Sequence, residues 1–475
     1  MTAAESDGGQ NLTPRGWALA CALVIFVCQL RPIDDADLFT QIALGWEQLA
    51  NGVPIQVEPF ALVNLGMPIV NLGWLSQLLF AALHEVGGFL LVRCIFAIVL
   101  GLSFATLLSL DRIRPTTIPA MFATLISFLA IASNTSVRPQ GLALGCFAVL
   151  LWLVIRRPKY WLLCTFGVAV LWQNLHPSVG LFFAVACGFV LWCLVRKAER
   201  AHCLDWCLVA LIAVPASVLT PDGLAVWRVS SKNSEIARSV LQISEWQPPW
   251  TSSVLPAMWG FWIALSITVV VWIFVRRVPR LAPAWFVLLF ATFYAARFAL
   301  FWGVVNAAVL AELIMSSRLK NVFSHSGAMI SRLPLRTVSC LLIIVPLVFH
   351  SGDIISPRIP VRDLESLHQR ISHPVRVYNY REWGGSIVYA WYGESTVAID
   401  GRLYLYGKEE WQRYIDIALG RVPVRDIEAL YRPDYLILHS EFHKRLIELV
   451  DADPGWQRLY TSVGLPLLVY AKKQG

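Results

Sequence analysis

Long apolar runs alternate with short, arginine-rich connections along most of the chain. A bilayer-spanning helix takes about 20 apolar residues, and eleven stretches read as such spans: 16–31, 88–110, 118–133, 139–155, 160–174, 177–195, 203–219, 257–275, 281–296, 299–316 and 336–350. Two further segments are apolar on one stripe only. From 38 to 50 the stripe is Leu38, Phe39, Ile42, Ala43, Trp46, Leu49 and Ala50, with Gln41, Glu47 and Gln48 elsewhere; from 75 to 86 it is Leu75, Leu78, Leu79, Ala82, Leu83 and Val86. Both have helical spacing and predict helices lying in the interface plane, the second stopping at Gly87-Gly88.

Beyond residue 350 the pattern changes. Strands are expected at 375–379, 395–399, 434–438 and 466–471, and helices at 384–391, 408–419, 425–430 and 440–450. That alternation predicts a small soluble α/β domain, 351–475, with a partly parallel sheet. Residues 1–350 form the expected membrane domain. The fold class is therefore an α-helical polytopic membrane protein of about eleven transmembrane helices with a small C-terminal α/β domain.

Composition narrows the choice. Of 475 residues, 57% are hydrophobic and 15% charged, against about 45–50% and about 25% in soluble domains. An ordinary soluble enzyme, a disordered chain and a disulfide-rich secreted module are all excluded. The net charge of +8 does not argue for nucleic acid, because Lys and Arg fall in short clusters between the apolar runs. With the N-terminus inside, the inner loops hold Arg112/Arg114, Arg156/Arg157/Lys159, Arg196/Lys197/Arg200, Arg276/Arg277/Arg280 and Arg318/Lys320/Arg332/Arg336. The outer loops hold fewer basic residues: Arg31, Arg138, Arg228, Lys232 and Arg238. The positive-inside bias predicts a cytoplasmic N-terminus and places 32–87, 220–256 and 351–475 outside. Had 75–86 been a span, every later cluster would change sides. The first span is expected to remain uncleaved, since no small-x-small site follows Gln29-Leu30-Arg31. The ten Cys lie in or beside apolar spans, which predicts no structural disulfide and no metal-ligand spacing.

Asp34-Asp35-Ala36-Asp37 directly follows the first span. Three carboxylates so close repel one another, and at least one is expected to have a raised pKa. That suits a general base or a cation site; helix N-capping is the plain alternative. Glu58, later in the same loop, could position an acceptor or bind a metal, or be a solvated loop acid. Arg138, before Pro139-Gln140, and Arg297 stand at outer span ends, where a guanidinium can clamp a phosphate or simply snorkel to headgroups. Asn174 and His176, in an outer turn, could bind sugar hydroxyls or cap a helix. Glu245 and Trp246 offer an acid beside an aromatic platform, or a rigid anchor in a Pro-rich loop. Asp400-Gly401-Arg402 reads as a local turn with a salt bridge. Cysteine-nucleophile, Ser-His-Asp, Walker and Rossmann motifs are absent.

Taken in order, Asp35-Ala36-Asp37, Gly45, Gly52-Val53-Pro54 with Glu58-Pro59-Phe60, and Trp74-Leu75-Ser76-Gln77 resemble GT-C-fold glycosyltransferases. The resemblance is to the dolichyl-phosphate-mannose and aminoarabinose transferase superfamily. It extends through Arg138-Pro139, Asn174-Leu175-His176, Glu245-Trp246 with Pro248, Arg297 and Ile399-Asp400-Gly401-Arg402. It implies a polyprenyl-phosphate sugar donor, usually inversion at the anomeric carbon, and catalysis at the outer membrane face. Carried over, the base role falls on Asp35 or Asp37, and Arg138 and Arg297 become candidates to hold the lipid phosphate; the expected site adds Glu58 as an assisting acid and Asp34, Asn174, His176, Glu245 and Trp246 as substrate contacts. Three positions depart from the pattern: Glu58 stands where Asp is usual, Gln41 where His is frequent, and Leu72-Gly73 where a His-Glu pair is frequent. The last weakens a metal site, although a divalent cation stays a candidate cofactor.

The leading expectation is thus a glycosyltransferase of the bacterial inner membrane. It would move a sugar from the lipid donor to an envelope glycan, lipid or protein acceptor. The first alternative is a non-catalytic scaffold of an envelope polysaccharide assembly with the same fold. A transporter is disfavoured, because few ionisable residues, mainly Arg93 and Glu312, lie inside the spans.

Overall fold

The computed structural model describes residues 14–110, 117–317, 354–371 and 374–473. Ten of the eleven apolar stretches coincide with helices, and 336–350 lies outside the described residues. In chain order the membrane part contains α1 (Pro14–Gln29), α2 (Asp37–Asn51), α3 (Trp74–Leu108), α4 (Thr117–Ile131), α5 (Pro139–Arg156), α6 (Trp161–Leu175), α7 (Gly180–Val195), α8 (Cys203–Ala216), α9 (Ala225–Glu235), α10 (Trp259–Val275), α11 (Ala282–Tyr294) and α12 (Ala299–Ser316). Helix α2 is the first of the two expected amphipathic segments. The second forms the first part of α3 and ends where expected: the backbone leaves helical geometry at Gly87 and Gly88, and Gly88 has φ +61°, a conformation side chains disfavour.

Among the described residues, three helices are long and apolar enough to cross a membrane: Trp74–Leu108, Pro139–Arg156 and Ala296–Ser316. The other apolar helices are 10–17 residues long, shortened by Pro-containing turns and polar connections. Helix α12 is buried along nearly its whole length, as expected of a helix apolar all round. Its Asn306 takes a hydrogen bond from Trp285 Nε1 (2.8 Å) and donates one to Ser127 Oγ (3.0 Å), so this buried amide is satisfied. Phe301 stacks on Trp172 at 5.8 Å beside Phe147.

The C-terminal residues form α13 (Val361–His368), β1 (Val375–Asn379), α14 (Gly384–Ala390), β2 (Ser395–Val397), α15 (Lys408–Ala418), α16 (Val424–Tyr431), β3 (Tyr435–His439), α17 (Lys444–Ala452), β4 (Trp456–Thr461) and β5 (Leu467–Lys472). The sheet order is β2-β1-β3-β5-β4, parallel across β2, β1 and β3 and antiparallel thereafter. Two elements escaped the sequence pattern. Strand β4 is an edge strand with mostly exposed side chains, so it carries no apolar alternation. Helix α13 is short, although Val361, Leu364 and Leu367 do mark a buried stripe.

The segment between α1 and α3 is sewn to this sheet. Leu62 N–H donates to Val397 O (2.8 Å), and Val397 N–H donates to Phe60 O (2.9 Å), so 60–62 extend the β2 edge. Ile33 pairs likewise with Ile355, through Ile33 N–H to Ile354 O and Ser356 N–H to Ile33 O, both 2.8 Å. Trp46 of α2 stacks on Tyr389 of α14 at 5.2 Å. The acidic segment after α1 is therefore held between the helical bundle and the sheet.

Candidate active site

The arginine before Pro139 begins the site. A proline at the first helical position starts α5, and its ring forces the preceding residue into extended geometry. Arg138 accordingly has φ −133° and ψ 157°, which throws its guanidinium out of the helix. That guanidinium meets three carboxylates. Nε donates to Asp35 Oδ2, Nη1 to Glu245 Oε2 at 2.6 Å, and Nη2 lies 3.6 Å from Asp37 Oδ2.

The two aspartates differ. Asp35 is buried, and both its oxygens are engaged: Oδ1 accepts the backbone N–H of Asp37 (3.0 Å) and Oδ2 faces Arg138. Asp35 thus ties down the turn that opens α2 but does not cap it: the N-cap is Ala36, which has no side-chain cap. Asp37 keeps 44% of its side-chain surface open within a protein-walled recess. That enclosure, then the Asp35 carboxylate beside it, pushes the Asp37 carboxyl up to about 7 against the pull of Arg138. Glu245 adds to the rise and Arg381 of the C-terminal region opposes it. Asp34 is exposed and makes no ion pair with this cluster among the described residues.

Arg297 sits in the turn joining α11 to α12, anchored where Ala296 N–H donates to Gln247 O (3.0 Å). Its Nη2 donates to Gln140 Oε1 (3.0 Å), its Nη1 lies 3.6 Å from Glu245 Oε1, and its guanidinium covers the Trp246 ring at 4.0 Å. The face of Trp246 is therefore engaged by a cation. Burial alone would raise Glu245, but Arg138 and Arg297 hold its carboxyl below the usual range. Burial, with Arg297 adding, lowers His176 to about 3; its imidazole is neutral near pH 7 and pairs through Nδ1 with Ser178 Oγ (2.8 Å).

Asp35, Asp37, Arg138, Glu245, Trp246 and Arg297 thus converge, with His176 in electrostatic range. Asn174 does not join them. Its Oδ1 accepts from Trp74 Nε1 (2.7 Å), and its Nδ2 donates to Val170 O and Leu219 O (2.8 Å each), which is a structural tie. Glu58 is also elsewhere. It is fully buried, accepts the backbone N–H of Phe60 (2.9 Å) and Ala61 (2.7 Å), and forms a bidentate pair with Arg402 at 2.7 and 2.8 Å. Arg402 also donates to Asp400, with Nη2 at 2.6 Å from Oδ2, as the local salt bridge predicted.

Sequence reasoning missed what the C-terminal region brings to this recess. Gly401 packs on Asp37: a Cβ there would fall inside van der Waals contact of Asp37 Oδ1. Gln140, seen only as part of a motif, orients Arg297. Among the described residues, no group of three or more His, Cys, Asp and Glu stands close enough to hold a metal ion. Where such an ion would balance the carboxylates of the recess, the guanidinium of Arg138 does so. The acidic trio therefore does not fit a cation site.

No family model and no curated protein matches this sequence. Solved structures do. The archaeal oligosaccharyltransferase AglB from Archaeoglobus fulgidus, in complex with an inhibitory peptide and a dolichol-phosphate, aligns with a TM-score of 0.53 at 13% identity over 96% of this chain and 74% of that one. The apo form of the oligosaccharyltransferase from the same organism aligns with a TM-score of 0.53 at 14% identity over the same shares. This chain has the GT-C fold. ArnT from Cupriavidus metallidurans, bound to undecaprenyl phosphate, aligns with a TM-score of 0.49 at 13% identity over 96% of this chain and 97% of that one. Within the GT-C fold of this chain, the recess offers an open carboxyl that titrates near neutrality beside two guanidiniums. Such a set can take a proton from a hydroxyl and neutralise an anionic leaving group.

Proposed function

We propose that this chain is a glycosyltransferase of the bacterial inner membrane. It moves a sugar from a polyprenyl-phosphate donor to an envelope glycan, lipid or protein acceptor at the outer face. The single observation that carries this reading is the state of Asp37: open to the recess, with its carboxyl pushed up to about 7. A general base works best when its pKa lies near the operating pH. The apolar helices belong to a membrane domain with a cytoplasmic N-terminus, and the C-terminal α/β unit is extracytoplasmic.

In the reaction, an acceptor hydroxyl oxygen attacks the anomeric carbon and gives its proton to Asp37. The bond from that carbon to the phosphate oxygen breaks, and its electron pair leaves on the lipid phosphate. Arg297 and Arg138 neutralise that charge, Arg138 exchanging a carboxylate partner for a phosphate oxygen. Asp35 positions Arg138 and the α2 turn, and Glu58 acts at a distance by holding Arg402. The dolichol-phosphate held by AglB in the same fold supports a lipid-phosphate donor.

The test is replacement of Asp37 and Asp35 by Asn, singly, in cells whose glycan product is visible. Asp37→Asn is expected to lower product formation by about 10²- to 10⁴-fold, and Asp35→Asn to do so less. Wild-type product from both variants would discard the mechanism. It would favour the scaffold reading instead, which draws on the same arrangement: Arg138 is already neutralised by three carboxylates. A scaffold predicts that both Asn variants complement a deletion, whereas a chain lacking 351–475 does not.

A further inference from the structure

Helix α5 runs from Arg138 to the opposite end of the bundle, and its 18 residues span about 27 Å. Helix α12 starts beside Arg297 and runs with it. Where both end, a cavity of about 460 Å³ opens between them and α7, α8 and the start of α11. Arg157, Arg196, Arg277 and Arg280 line it, against the carboxylates Glu199 and Glu312. Counting Asp205, which pairs with Arg157, four guanidiniums stand against three carboxylates, which leaves net positive charge around the volume.

The four arginines are not equivalent. Arg157 is committed to Asp205 (2.6 Å) and reaches His202 Nδ1 (2.8 Å). Arg280 donates its backbone N–H to Glu312 Oε2 (2.9 Å) and its Nη2 to Ile155 O (3.2 Å). Among the described residues, Arg196 and Arg277 have no carboxylate within ion-pair distance; Arg196 rests over the Trp192 ring at 5.0 Å. One wall is aromatic, with Phe189 stacked on Trp206 at 3.9 Å. The flanks are lipid-like in character. Leu194 and Val195, just before Arg196, and Phe274, three residues before Arg277, are strongly exposed.

We propose that this cavity is a phosphate-binding site at the membrane face opposite the glycosyl-transfer recess. Arg196 and Arg277 clamp the phosphate, and the Trp192 and Trp206 wall receives what is attached to it. Guanidiniums recognise phosphate oxygens bidentately, and basic pockets between membrane helices near the cytoplasmic face suit anionic lipid headgroups. A lipid headgroup or a soluble phosphate supplies the same chemistry, and the position between exposed apolar flanks favours the headgroup. The site is independent of whether Asp37 is a base.

The test uses the purified full-length chain in nanodiscs of equal parts phosphatidylglycerol and phosphatidylcholine, with retained lipid read by native mass spectrometry. A parallel arm measures thermal unfolding in phosphatidylcholine nanodiscs with and without inorganic phosphate. Retention of phosphatidylglycerol over phosphatidylcholine supports the site with a lipid source. Stabilisation by inorganic phosphate supports it with a soluble source. In either case Arg196→Gln with Arg277→Gln is expected to weaken the effect by roughly tenfold or more, the loss of a charge-assisted contact. Both side chains are exposed, so folding is preserved. The control is Lys159→Gln with Arg276→Gln, two exposed basic residues at the same end that do not line the cavity. No binding in either arm, or equal loss in the control, would overturn the proposal.

Discussion

Two arginines in this molecule gather carboxylates, and their settings are opposite. Arg402 is buried between Glu58 and Asp400, whose side chains are fully buried, and every oxygen of Glu58 is used. Arg138 keeps 30% of its side chain exposed, and one of its three carboxylates, Asp37, is open. Removing charges from water costs several kcal/mol per ion, recovered only with complete partners. The Arg402 group meets that condition and has nothing left to offer a ligand. The Arg138 group leaves a carboxyl that can change its protonation. The first joins the segment between α2 and α3 to the C-terminal region, and the second has the features of chemistry. Ion-pair composition does not distinguish them; completeness and access do.

The sharpest way to break this contrast is Arg402→Gln. It strands two buried carboxylates and is expected to destabilise the protein by about 3–5 kcal/mol, read as a fall in the thermal unfolding midpoint of the solubilised protein. An unchanged midpoint would remove the structural role given to Glu58 and Asp400. Next is Gly401→Ala, whose methyl meets Asp37 Oδ1. Overpacking of this kind costs about 1–3 kcal/mol, and glycan output should fall even in cells where the protein accumulates normally.

A smaller effect concerns pH. The folded Asp37 carboxyl is raised from 3.8 to about 7, so the folded state binds more protons than the unfolded state between those values. Stability from this group is therefore highest at low pH and falls as pH rises towards 7. Asp37→Asn is expected to be more stable than wild type at pH 8, by on the order of 1 kcal/mol once solvent screening is allowed for. The gain should shrink below pH 4, as unfolding at the two pH values would show. Smallest is Trp246→Leu. It removes the ring under Arg297 and should cost about 0.5–1 kcal/mol, seen as a several-fold loss of product with little change in folding.

Much of this fold was legible because apolar periodicity is local. The apolar helices, the amphipathic α2, the break at Gly87-Gly88 and four of the five strands follow from spacing within a dozen residues. Strand β4 was hidden by its exposed edge position, and the crossing count is not fixed by helices of 10–17 residues. The site was half legible. Asp35, Asp37, Arg138 and Arg297 were each visible at span ends, where an ionisable residue needs a reason, and Glu245 stood beside Trp246 in a Pro-rich segment. Their convergence was carried by the order of motifs, not by any one of them. The partner of Glu58 was out of reach, because Arg402 lies 344 positions away. Asn174 was misleading for a related reason, since its amide is consumed by backbone carbonyls that no pattern marks.

The central claim is that Asp37 is an accessible carboxyl whose pKa is pushed up to about 7. Carbodiimides react with protonated, accessible carboxyl groups, so modification can be mapped residue by residue by mass spectrometry as pH is varied, with no donor or acceptor required. The account predicts strong labelling of Asp37 below neutrality, falling through its midpoint near pH 7, with Glu58 and Asp400 unlabelled throughout. Labelling of Asp37 that disappears near pH 4, as for an ordinary carboxylate, or labelling of Glu58 or Asp400 in the folded protein, would contradict it.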